Sequence, residues 1–353
     1  MAGPRILIVG AGPTGLTLAA SLATRELIPT VIEQRNGMSN FSRAVGIQPS
    51  SMDVFRRIGA AEPVLAEAIA FAGVVLHSGS RPLARLPLNF DDRSRLWGLA
   101  QDRTERHLLD ALQHHAGAVR WGTAFKGLKL LKNGVEVDAG EASGRYDWIV
   151  GCDGNRSLVR KAAGIGFQGF ELPQQWSIAD VDAAGWRDPA WFQAFLLKDG
   201  QAAVVVPIET ARFRVIASGP DALDMLPVEM PVTNVRRAGA FSISVRQAER
   251  YRTDRVLLAG DAAHCHSPVG GRGMNLGIAD AAELARRLLE NSVDGYSDSR
   301  HPEGQHVLAF SERARRMVQS QNGLQKVFVT SALQVIGAIP RLGRAAIRQF
   351  ANG

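Results

Sequence analysis

The chain has 353 residues, 46% of them apolar and 21% charged, with a mean hydropathy of −0.05. These values exclude disorder, a collagen-like repeat and an integral membrane bundle, and the length allows about two domains at ~150 residues each. Two cysteines, Cys152 and Cys265, exclude a disulfide framework, and a net charge of +7 without lysine-rich runs or interleaved aromatics argues against nucleic acid as a partner.

Residues 5–9 read as a buried strand ending at Gly10. They follow Met1 too closely to form the core of a secretory signal, so the expected address is cytoplasmic. A helical pattern through Leu16, Leu18, Ala19 and Leu22 leads to a second short strand, 30–32, ending at Glu33, which completes a βαβ unit. A polar loop carrying Arg43 and Gln48 precedes helical periodicity through Met52, Phe55, Ile58 and Leu65. Residues 71–100 read as short strands, among them 71–77, and 101–115 as an amphipathic helix with Leu108, Leu109 and Leu112 on one face. Strands are expected at 119–121, 125–131, 135–137 and 148–150. Between Trp176 and Val245, apolar runs at 192–197, 202–207, 213–217 and 241–245 predict a mostly antiparallel sheet. The buried run 256–259, a glycine-rich loop and helical patterns follow. The expected fold class is α/β plus β: a discontinuous Rossmann-like domain (1–70, 101–170 and 250–310), an inserted sheet domain (71–100 and 171–249) and C-terminal helices (311–353).

Three motifs carry chemistry. Gly10-x-Gly12-x-x-Gly15 follows a strand and opens a helix, the context of a dinucleotide fingerprint: a tight turn, close backbone approach to a pyrophosphate, and close helix–strand packing. Glu33, at the end of the next strand, can accept hydrogen bonds from a ribose diol. The second motif runs from Asp147 through Cys152-Asp153-Gly154-Asn155 to Ser157 and Arg160, a strand followed by an Asp-Gly turn. The third is the most specific: Gly260-Asp261-Ala262-Ala263-His264, then Pro268-x-Gly270-Gly271-Arg272-Gly273-Met274-Asn275, then Gly277 and Asp280 on a helix. Its acidic side chain can bind a polyol, and glycines at a helix N-terminus expose N–H groups to an anion.

In this order and spacing the motifs resemble the FAD-dependent aromatic hydroxylases, the class A flavoprotein monooxygenases of the p-hydroxybenzoate hydroxylase fold. The likeness extends to residues 42–47, the Gln101-x-x-x-Glu105-x-x-Leu108 helix and the stretch 296–302. It implies that the discontinuous domain binds FAD and the inserted sheet binds substrate. Gly10, Gly12, Thr14 and Gly15 would contact the pyrophosphate side, Glu33 the adenosine ribose, Arg35, Arg43 and Gln101 the phosphate and ribityl region, and backbone at Phe125 the adenine. Asp153 and Gly154 match a turn used for FAD and for transient NAD(P)H docking. Asp261 would meet the ribityl hydroxyls, Gly271, Gly273, Met274 and Asn275 the isoalloxazine edge, and Pro268 the flavin and substrate.

The activity implied is hydroxylation of a phenolic or polyketide-like aromatic through a C4a-hydroperoxyflavin, with NADH or NADPH as a transient co-substrate and O2 as oxidant. The cofactor carries the difficult step, so no catalytic acid or base is named. His264 and His266 read as structural loop residues, and His264-Cys265-His266 lacks the ligands of a metal site. A flavin-dependent halogenase is disfavoured because Trp186 and Trp191 lack that family's paired context. A flavin reductase acting on a polyprenyl substrate and a non-catalytic binding protein of the GDP-dissociation-inhibitor type stay open as alternatives. Two departures stand out. Residues 221–232, where relatives carry a longer helix, are brief and hold Pro227 and Pro231, so one wall of the substrate cavity is expected to be missing or differently built; and no thioredoxin-like domain follows before Gly353. Residues 324–350 read as two basic amphipathic helices divided at Pro340. Packing on the protein is preferred there to an in-plane membrane anchor, because the segment has no tryptophan.

Overall fold

The computed structural model describes residues 3–38, 44–88, 95–267 and 271–318. The expectations for Arg43, Pro268, Gly270 and the tail beyond residue 318 lie outside the described residues.

A six-stranded sheet has the order Arg252–Thr253, Val256–Leu258, Trp148–Gly151, Ile6–Val9, Thr30–Ile32, Val119–Arg120. All neighbours are parallel except the first pair. Ile6–Val9 is buried at every position, as a parallel strand covered on both faces must be. The Pro13–Ala23 helix packs on the Gln101–His114 and Gly273–Leu289 helices. The chain leaves the central strand toward Thr30–Ile32 on one side and receives Trp148–Gly151 on the other, and this reversal opens a crevice at the carboxyl ends of the strands.

A seven-stranded sheet has the order Asn234–Phe241, Trp176–Asp182, Arg212–Ala217, Ala202–Glu209, Trp191–Leu196, Gly73–Ser78, Arg81–Pro87. It is antiparallel except where Trp191–Leu196 runs parallel to Gly73–Ser78. Period-two alternation divides its faces. Ala179, Val181, Phe213 and Val215 form one buried cluster, over which Leu223, Met225, Leu226 and Met230 fold. The opposite face carries Val204, Val206 and Ile208 toward Val45, with Asp180 and Arg214 beside them. The brief segment 221–232 therefore covers the face that Asp180 and Arg214 do not share.

Three expectations change. The periodicity through Leu65 is two helices, Pro49–Ile58 and Ala61–Glu67, separated by Gly59 in the left-handed region at φ 78°, where glycine is tolerated without strain. The run 241–245 is not one strand: Asn234–Phe241 belongs to the large sheet, while Ser244–Ala248 pairs with Phe167–Glu171 and His264–Cys265. The chain changes sheets where Ile243 and Val245 bury against Leu172 and Trp176. The expected start of the 125–131 strand also moves, to Gly127–Leu131. The helix beginning at Tyr296 continues through Pro302 to Val318.

Candidate cofactor and active site

The three motifs meet at the carboxyl ends of three adjacent parallel strands: Ile6–Val9 leads to Gly10, Trp148–Gly151 to Asp153, and Val256–Leu258 to Asp261. Gly10 has φ +107°, and a Cβ there would lie 2.4 Å from the carbonyl oxygen of Cys152, so the first two turns press together. A Cβ on Gly15 would come within 2.0 Å of the Gly10 carbonyl oxygen, whereas at Gly12, the helix N-cap, it meets nothing within 4 Å. The outer glycines are thus required by packing, and the middle one fronts open space of the kind a pyrophosphate needs. Thr14 Oγ1 fills the space where Cβ atoms on Gly260 and Gly277 would stand, at 2.4 and 2.3 Å, which seats the first motif directly on the third.

Glu33 is buried. Its carboxylate accepts from Ala11 N (2.9 Å), Arg35 N (3.1 Å) and Arg35 Nε (3.0 Å). Burial pushes its pKa up, but the Arg35 and Ala11 hydrogen bonds outweigh it and hold the group below the ordinary carboxylate range. A ribose diol reaching this carboxylate would displace the Arg35 side chain, which is 37% exposed. Thr123 N donates to Glu33 O (2.9 Å), so the chain leading to buried Phe125 runs beside Glu33. Gln101 accepts from Ala44 N (3.2 Å) and donates to Glu105 (2.8 Å).

Two residues engage their side chains within the protein. Asp153 turns its carboxylate to the start of the Leu158–Ala162 helix, accepting from Leu158 N (2.7 Å) and Val159 N (3.1 Å). Asn275 engages its whole side chain: Oδ1 accepts from Gln48 N and Ser51 Oγ, both at 2.8 Å, and Nδ2 donates to Gly46 O (2.9 Å) and Gly271 O (3.2 Å). An amide so satisfied has no group left for a flavin, and its backbone N–H is the part that can serve. The N–H groups of Gly273, Met274 and Asn275 begin the Gly273–Leu289 helix, which has no side-chain cap. They form its positive end and have no acceptor within the helix. A Cβ on Gly271 would meet nothing within 4 Å, and Asp261 is exposed at the crevice.

Beneath this surface lies a buried lock that spacing alone did not reveal. Asp280, fully buried, accepts from Gly260 N (3.1 Å) and Arg300 Nε (2.8 Å) and lies 2.5 Å from His264 Nε2. Burial pushes its pKa up, yet His264 and Arg300 outweigh it and hold the carboxyl below its ordinary value. His266 bonds Ser267 O through Nδ1 (2.8 Å), and burial pushes it down to about 4. Arg160 ties the second motif to the third, donating to Ala262 O (2.8 Å) and Asn155 O (2.9 Å). Arg214 holds Asp180 through two bonds of 2.7 Å and donates to Ala44 O (3.0 Å), so the large sheet touches the same 44–48 segment that Asn275 grips. Among these, Asp280 and Arg160 were visible as letters within motifs. The partner Arg300 and the Asp180–Arg214 pair left no mark in spacing.

The FAD binding domain family model matches residues 4–225 and 220–311. A rifampicin monooxygenase of Streptomyces venezuelae is 31% identical over 91% of this chain and 73% of its own length. A solved p-nitrophenol 4-monooxygenase from Pseudomonas putida superposes with a TM-score of 0.88 at 23% identity, covering 99% of this chain and 98% of that one. An anhydrotetracycline hydroxylase from Streptomyces rimosus does so with 0.79 at 27%, covering 99% and 76%. With the glycine cradle, the acidic strand ends and the open helix N-terminus in one crevice, the chain belongs to the FAD binding domain family, among the FAD-dependent aromatic hydroxylases of class A.

Proposed function

We propose that this enzyme hydroxylates a phenolic, polyketide-like aromatic compound, and that the crevice residues divide the work of holding FAD. Glu33 and the chain at Phe125 would hold the adenosine half, and Gly10, Gly12, Thr14, Gly15, Arg35 and Gln101 the pyrophosphate side. Asp261 would take the ribityl hydroxyls, and the N–H groups at Gly271, Gly273, Met274 and Asn275 the flavin edge. When bound and reduced by NADH or NADPH, FAD supplies the activation of O2 and the transfer of one oxygen atom to the ring. The chain's own part is electrostatic and steric. The positive helix end favours negative charge on the nearby ring system, and Asp280 keeps Gly260, and with it Asp261, in place. No second glycine fingerprint follows another strand, so nicotinamide docks without a Rossmann domain of its own. The finer domain division reads as FAD-binding for 1–70, 101–170 and 250–310 and substrate-binding for 71–100 and 171–249, working in the cytoplasm.

The observation that carries the substrate reading is the inner face of the large sheet. Val74, Leu76, Phe192 and Val204 are half-buried there, in one cluster with Val45, on the segment that Asn275 ties to the helix N-terminus. An apolar wall joined through residues 45 and 46 to a positive helix end suits a flat aromatic with an acidic hydroxyl, and relatives named for rifampicin and anhydrotetracycline agree with it. Described helices include none long and apolar enough to cross a membrane. The test is NAD(P)H consumption by the purified yellow protein against a panel of monocyclic phenols and polycyclic aromatic polyketides. Consumption should be slow alone and markedly faster with a polycyclic phenol, with a hydroxylated product. Acceleration by none of them, or equal turnover without oxygen, would remove the proposal and favour the reductase.

A further inference from the structure

Glu105 belongs to no step of this account, yet it is a carboxyl 3% exposed, one helical turn after Gln101 on the face that borders the cofactor crevice. Its Oε1 accepts from Gln101 Nε2 (2.8 Å) while Gln101 Oε1 accepts from Ala44 N (3.2 Å). The carboxyl therefore fixes which way the Gln101 amide points. Glu105 faces Arg35 and Glu33 from the end of the Thr30–Ile32 strand and Asp102 from its own helix. The Pro13–Ala23 helix packed alongside carries no charged residue, and Glu67 of the neighbouring Ala61–Glu67 helix is engaged by Arg103 (2.5 Å) and His107 (3.3 Å).

We infer that Glu105 is a positioning residue that must be protonated for FAD to bind, so that cofactor uptake draws a proton onto every molecule in which this carboxyl is still ionised. The reason is charge crowding. The leading cation facing Glu105 is Arg35, and Arg35 is already paired with the Glu33 carboxylate at 3.0 Å. Adding a pyrophosphate at Gln101 places a further anion beside a buried carboxyl, and two like charges in low dielectric cannot both persist at neutral pH. Burial already pushes Glu105 up to about 7 without any phosphate. As a neutral acid it still accepts the Gln101 hydrogen bond and repels nothing.

This rests on the reading of Gln101 as part of the FAD phosphate rim. The experiment measures FAD dissociation from the full chain by flavin fluorescence between about pH 6 and 8.5, together with calorimetry of FAD binding in two buffers of different ionisation enthalpy. Wild type should take up a fraction of a proton per FAD at neutral pH, and its affinity should fall by up to about tenfold per pH unit on the alkaline side. Glu105→Gln should bind FAD with no proton uptake and a flat profile. A flat wild-type profile, an unchanged slope in Glu105→Gln, or loss of FAD by that variant at every pH would overturn the inference. Gln101→Ala separates the two layers: if it binds FAD as wild type does, the rim reading itself is wrong and the inference goes with it.

Discussion

Two buried carboxyls stand on different helices, Glu105 on Gln101–His114 and Asp280 on Gly273–Leu289, and their neighbours give them opposite characters. Asp280, under the third motif, has Arg300 Nε at 2.8 Å and His264 Nε2 at 2.5 Å and is held ionised below the ordinary carboxylate range. Glu105, under the phosphate rim, has an amide as its hydrogen-bond partner, and burial pushes it up to about 7. Equal burial does not mean equal charge: a cation in hydrogen-bond contact decides the protonation state.

Removing the ionised carboxyl should have the largest effect. Asp280→Ala leaves Arg300 and the Gly260 N–H without their buried acceptor, a loss of about 3–5 kcal/mol in urea unfolding, accompanied by loss of flavin. A cost below about 1 kcal/mol would mean that water replaces the carboxylate freely. The same comparison predicts opposite pH signatures. Asp280 has a depressed pKa, so its stabilisation is complete at neutral pH and disappears as pH falls below about 4 through its folded value. Glu105 binds its proton more tightly folded than unfolded. The apoprotein should therefore lose stability as pH rises from 4.5 to about 7 and level off above, by an amount on the order of 3 kcal/mol. Glu105→Gln should flatten that interval alone, and chemical denaturation at a series of pH values would show it.

Smaller effects belong to the exposed side of the site. Asp261→Ala should weaken FAD binding by about 1–3 kcal/mol and leave the apoprotein's melting temperature unchanged, because the residue is exposed. Equal FAD affinity would remove Asp261 from the ribityl role. Gly12→Ala introduces a Cβ into open space at φ −82°. The apoprotein's stability should change by less than about 1 kcal/mol, because the smaller unfolded-state entropy opposes alanine's poorer capping, while flavin occupancy falls, and an unfolded variant would show that the space at Gly12 is not empty.

What was legible in the sequence follows from where each constraint originates. Gly10, Gly15 and Gly260 leave no room for a side chain, because a Cβ there would run into Cys152 O, Gly10 O and Thr14 Oγ1 respectively, and glycine at those fixed spacings announced the crevice. The apolar runs at 202–207 and 213–217, of strand length with turn residues between them, announced the large sheet. Asp280–Arg300, Asn275–Gln48 and Arg214–Asp180 join residues that only the fold brings together, and no local pattern marks them. The misplaced strand at 241–245 has the same origin: an apolar run looks alike whether it continues a sheet or crosses between two.

The central claim is oxygen transfer to an aromatic ring by an FAD-dependent enzyme, and isotope labelling tests it most directly. The purified enzyme is given NADPH, labelled O2 and the polycyclic phenol that most accelerates cofactor oxidation, and the product is examined by mass spectrometry. The account predicts incorporation of one labelled oxygen atom per ring hydroxylated. A product carrying no label, or one formed equally well without oxygen, would contradict it.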